Sequence, residues 1–147
     1  MNWKALETQG RVDQHRTSKS ELDGLRKAVA RNLADASVVG LSDDGRFGVA
    51  YEAALLLAKM AVACAGYRVK GQGQHLTMFQ AVVLAVGNSV QAQADYFDRC
   101  RRKRNVISYQ YAGAVTGAEA DDLLAKVRKF EGTVETWIAK YHPGLAQ

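Results

Sequence analysis

The sequence predicts a single all-α domain, an antiparallel up-and-down bundle of four to five helices. Three observations predict it. Apolar residues recur at alternating spacings of three and four along most of the chain, the period of a helix face. Its one proline, Pro143, lies close to the C-terminus, so nothing upstream is obliged to break a helix. No segment shows apolar–polar alternation bounded by turn residues, so no sheet is expected. A chain of 147 residues with 48% hydrophobic residues matches one globular domain able to bury a core without staples.

The elements follow in order. Residues 1–17 are polar apart from Trp3, Leu6 and Val12 and read as an N-terminal arm with one turn of helix, leaving 18–147 as the bundle domain. Ser18 and Glu21 form a capping-box pattern, in which hydroxyl and carboxylate satisfy the orphan donors of a helix start. Leu22, Leu25, Val29, Leu33 and Ala36 then fall on one helix face, which Gly40 ends. Ser42, Asp43 and Asp44 supply a cap and negative charge to the next helix. Its segment 47–65 is apolar on most faces, as expected of the central helix of a bundle, and Gly66 closes it. Residues 68–73 read as a loop, and 74–86 as a third helix. Gly87 and Asn88 mark a turn, and Ser89 caps a fourth helix running to about Ser108. A last helix follows Gly117, with Leu123, Val127, Phe130, Val134, Trp137 and Tyr141 as its seam.

Composition excludes several function classes. No run of 18 uncharged apolar residues occurs, since Lys59 interrupts the longest stretch, 53–66, so a membrane span is not expected. The opening residues lead into a polar segment and do not read as a secretory signal. Cys64 and Cys100 stand alone, outside any CxxC pair, and fit packed thiols in a reducing cytoplasm. His15, His75 and His142 are scattered, and no phosphate-binding glycine loop, HExxH or GxSxG motif is present. No metal or other cofactor is implied.

The net charge is +5, but five of the six residues from Arg99 to Arg104 are basic. Such a run suits phosphate or an acidic partner, and equally a solvated helix face. On a helix Arg101, Asn105 and Tyr109 stack on one face, and Arg104, Ser108 and Tyr111 form an adjacent stripe. Guanidinium, amide, hydroxyl and phenol together can hold a phosphate and a neighbouring sugar or base. His75, at a helix start, is a capping or surface group unless the fold brings it to the basic helix, where it would supply an imidazole. Val90 and Phe97, apolar on a helix crowded with charge, suggest that part of 88–111 is buried in a dimer.

At this stretch the chain resembles the HEPN family of nucleotide- and RNA-associated helical domains. The pattern shared with that family is Arg104-Asn105, with Tyr109 where the family places a histidine and Tyr111 at its trailing tyrosine. The stretch from Arg46 to Ala54, the helix end at Gly66-Tyr67 and the segment from Gly73 to His75 resemble a bacterial branch, and the likeness covers roughly residues 18 to 141. The resemblance implies a homodimer with facing Arg motifs and metal-independent RNA cleavage in the active branches. It also implies, for some members, partnership with a minimal nucleotidyltransferase. It assigns Arg104 to the scissile phosphate, Asn105 to orientation and Tyr109 to proton transfer; the basic helix itself offers Arg101, Arg102, Lys103 and Tyr111 as nucleic-acid contacts. Tyrosine departs from the pattern in a way that matters. A phenol with its usual pKa near 10 is about 0.1% ionised at pH 7, whereas imidazole titrates near neutrality. A non-catalytic RNA- or protein-binding module is the competing expectation.

Overall fold

The computed structural model describes residues 1–109 and 113–147, with only the backbone at Ser108 and Tyr109. It is an all-α bundle of five long helices preceded by a short one. In chain order these are α1 (Trp3–Thr8), α2 (Lys19–Ala36), α3 (Asp43–Cys64), α4 (Gln74–Val86), α5 (Gln91–Tyr109) and α6 (Gly117–Tyr141). Single 3-10 turns at Asn88–Val90 and Pro143–Leu145 complete them. The caps act locally. Ser18 Oγ accepts from Glu21 N–H, and Ser42 Oγ accepts from Gly45 N–H. Thr116 and Glu119 form a full reciprocal box at the start of α6. At α2 that box is half made, because the Glu21 carboxylate turns to His15 at 2.8 Å and to Thr17.

α3 is the core helix, packed against α2, α4, α5 and α6. It is long and apolar enough to cross a membrane by composition, with a mean hydropathy of 1.6, but 72% of that stretch is buried inside the bundle. Its alanines let the neighbours approach closely, and Tyr51, Leu57 and Met60 fill the space between them. Phe79, Phe97 and Phe130 join α4, α5 and α6 in a chain of ring contacts, with centroids 5.9 and 5.0 Å apart. Val90 and Phe97 are fully buried in this core. They are spent on the chain's own interior, which removes the apolar reason for expecting a dimer there.

The expectation of no sheet is corrected. Val12–Gln14 and Tyr67–Val69 pair as a two-stranded antiparallel sheet, β1 and β2, with Val12 opposite Val69 and Gln14 opposite Tyr67. Part of the expected loop 68–73 is therefore strand. Burial explains why the N-terminal segment docks. Leu6 and Val12 are at most 1% exposed, and Trp3 stacks flat on Tyr67 at 4.2 Å.

The pair also fixes the approach to α4. Lys70 N–H donates to Arg11 C=O at 2.9 Å, and Arg11 reaches Thr77 and Gln80 on α4 itself. Gly71 turns with φ +82° where a Cβ would stand 3.3 Å from the Gly10 carbonyl oxygen, a position suited to glycine. A sheet of two three-residue strands thus sets where α4 begins, and with it His75.

Candidate functional site: a polar pocket between α4 and α5

The basic run of α5 is not one surface. At 100° per residue, Arg101, Arg104 and Asn105 fall within an arc of about 100°, whereas Arg99 and Lys103, two positions either side of Arg101, point about 160° away. The first group faces α3 and the start of α4. The second faces α6, and Arg102 projects to solvent with its side chain 66% exposed.

On the α4 side, Arg101 and Asn105 line a pocket of about 320 Å³ with Gly73, Gln74, His75 and Leu76. These last four residues are the N-terminus of α4, which begins at Gly73 in a left-handed conformation without any side-chain cap. The amide ends of a helix carry partial positive charge, so the pocket combines a guanidinium, a carboxamide, an imidazole and a helix start.

His75 is held from beneath. Its Nδ1 shares a hydrogen bond of 3.1 Å with the hydroxyl of Tyr51 on α3. Tyr51 is completely buried, and burial pushes its phenol far above the usual range, so that it stays protonated. Burial also pushes the His75 imidazole down; Glu52 opposes this while Arg104 and Arg101 add to it. The neutral ring is therefore the resting state at neutral pH.

Arg104 sits beside this pair, its guanidinium 5.5 Å from the centre of the Tyr51 ring and 2.8 Å from Glu52. With both side chains about a third exposed, that ion pair is worth at most about 1 kcal/mol. A phosphate can therefore compete with Glu52 for the guanidinium. Arg101 gives its Nε–H to Asp98 at 2.8 Å, and its terminal nitrogens have no partner among the described residues.

The opposite side of α5 looks alike only in composition. Arg99, Lys103, Tyr96 and Cys100 line a larger cavity of about 440 Å³ with Phe47, Ala118, Glu119 and Asp122. Lys103 is 3.4 Å from Glu119, and the Tyr96 hydroxyl donates to Asp122 at 2.7 Å. Burial pushes the Cys100 thiol up to about 11, so at neutral pH it is a packed thiol and not a nucleophile.

The fold thus brings Arg101, Asn105 and Arg104 to one side, takes Lys103 to the other and leaves Arg102 outside. α5 continues unbroken to Tyr109. Tyr109 is therefore about 140° around the axis from Arg104, and the helix does not end between them. The Tyr109 side chain and the whole of Tyr111 lie outside the described residues. Tyr51 and Glu52 join the site beyond the residues expected from sequence; their signal is the stretch from Arg46 to Ala54, which contains both. Among the described residues no group of histidine, cysteine, aspartate or glutamate converges to hold a metal ion. No protein-family model, curated protein or solved structure matches the chain.

Proposed function

We propose that the chain is a HEPN-like domain that acts on RNA, as a metal-independent endoribonuclease of toxin or defence type in the cytoplasm. One observation supports the reading above the others: Asn105, from the family pattern, and Arg101, from the basic run, share a pocket with an imidazole. A guanidinium with free terminal nitrogens binds a phosphodiester in a two-pronged manner, and an adjoining amide orients its sugar. Arg104 joins them once phosphate displaces Glu52.

The second reading is a binding module that presents the same pocket to RNA, a nucleotide or a nucleotidyltransferase-type partner without turnover. The engagement of Arg104 by Glu52 and of Arg101 by Asp98 favours it, because each guanidinium already gives one N–H to a carboxylate. A homodimer belongs to the family likeness and would have to use surfaces other than Val90 and Phe97.

Incubation of single-stranded RNA with the protein in EDTA separates the readings. The ribonuclease reading expects cleavage by the native chain and its loss in Arg104→Ala. Salt-sensitive RNA binding without cleavage would establish the module. An absence of both would dispose of RNA as the ligand.

A further inference from the structure

The family pattern places a histidine where this chain has Tyr109, and the fold holds another imidazole, His75, beside Arg101 and Asn105. Resting on the ribonuclease reading, we propose that His75 is the general base of the site, held in place by Tyr51, so that one chain carries a complete reaction centre. Three features of the geometry support this. His75 lines the same pocket as Arg101 and Asn105, so base and phosphate-binding groups meet without a second subunit. Tyr51, rigid in the core, fixes one ring nitrogen. The other, Nε2, has no hydrogen-bond partner among the described residues.

The chemistry balances within RNA itself. In the base-competent tautomer Nδ1–H donates to the Tyr51 oxygen, and Nε2 keeps its lone pair. Nε2 takes the proton of a ribose 2′-hydroxyl, and that oxygen attacks the adjacent phosphorus. The P–O5′ bond breaks, giving a 2′,3′-cyclic phosphate, and the departing 5′-oxygen receives the proton back from the imidazolium. Arg101 and Arg104 carry the charge that grows on the phosphoryl oxygens. Nothing enters or leaves but the two RNA pieces. Tyr51 touches no reacting atom and is a positioning residue.

Among the described residues, the charged and titratable groups around the ring are Tyr51 and Glu52 on α3 and Arg101 and Arg104 on α5, with Asp98 behind Arg101. Their balance, with burial, keeps the imidazole below its usual 6.5. Cleavage should therefore rise with pH through the acid range as the ring loses its proton, with its midpoint below that of an ordinary imidazole.

The test uses the full chain in EDTA with single-stranded RNA and with the same oligonucleotide 2′-deoxy throughout. Native protein, His75→Gln and Tyr51→Phe are compared for binding, for kcat and KM, and for the pH profile, with helical circular dichroism confirming each fold. The expected result is cleavage of RNA and not of DNA. His75→Gln should lose kcat by about 100-fold or more and lose the acid limb while still binding RNA. Tyr51→Phe should lower kcat with KM nearly unchanged. Equal cleavage by native protein and His75→Gln would overturn His75 and leave the ribonuclease reading standing. Native protein that binds RNA but does not cut it would overturn His75 and leave the binding module. Failure of native protein to bind RNA at all would overturn the underlying reading as well.

Discussion

The two sides of α5 carry nearly the same residue types and differ in what those residues meet. Toward α6, Lys103 and Tyr96 are matched one to one with Glu119 and Asp122, and Arg99 lies over the Tyr96 ring at 5.7 Å. Toward α4, the helix meets an uncapped helix start and an imidazole, with two carboxylates, Glu52 and Asp98, for two arginines. The larger cavity belongs to the α6 side, where Arg99 has no carboxylate partner among the described residues. What distinguishes a candidate site here is neither volume nor the number of basic residues. It is the convergence of a guanidinium, a carboxamide, an imidazole and an uncapped helix start on one pocket.

The strongest way to break the comparison is to remove the floor that both sides share. Phe97 is fully buried between Phe79 and Phe130, and Phe97→Ala should cost about 3–5 kcal/mol. Urea unfolding would show it as a fall in midpoint at unchanged slope, with both faces of α5 loosened together. A loss below 1 kcal/mol would mean that α5 is not seated as described.

A smaller change sharpens the difference. Glu52→Gln takes away the carboxylate that occupies Arg104 and that holds the His75 pKa up. RNA affinity should rise by about threefold, in line with an exposed ion pair worth under 1 kcal/mol. The His75 titration, followed by its ring proton resonance, should move to lower pH. An upward movement, or weaker RNA binding, would mean that Glu52 belongs to the ligand-holding set instead.

Much of the bundle was legible because its signals are local. Ser18, Ser42 and Gly117 lie where helices begin, and the seam of α6 from Leu123 through Val134 is buried as its spacing predicts, although Tyr141 at its end is exposed. The sheet was not legible. Strands of three residues are too short for alternation to register, and β1 pairs with a segment more than fifty residues downstream through burial of Val12 and the Trp3–Tyr67 stack. The same distinction holds for the site. The sequence spacing of Arg101 and Asn105 is enough to place them on one helix face. Whether His75 approaches that face depends on where α4 starts, and that is fixed by Gly71, Gly73 and the contacts of Arg11. Tyr51 reads from sequence as one more apolar core position, and only the fold shows that its hydroxyl meets an imidazole.

The claim that the α4-facing side of α5 is the RNA site is tested most directly by removing equal charge from each side. Binding of single-stranded RNA would be measured across a range of salt for native protein, Arg101→Ala/Arg104→Ala and Arg99→Ala/Lys103→Ala. The predicted result is a loss of affinity of at least tenfold for the first pair. Its dependence of log K on log salt should be shallower by about 1.4, the loss of two phosphate contacts on a single strand. The second pair should stay within about threefold of native with an unchanged slope, because Lys103 is already paired and both residues point away from the pocket. Equal losses for the two pairs would contradict the account, since they would show RNA responding to the total charge of α5 and not to one of its sides.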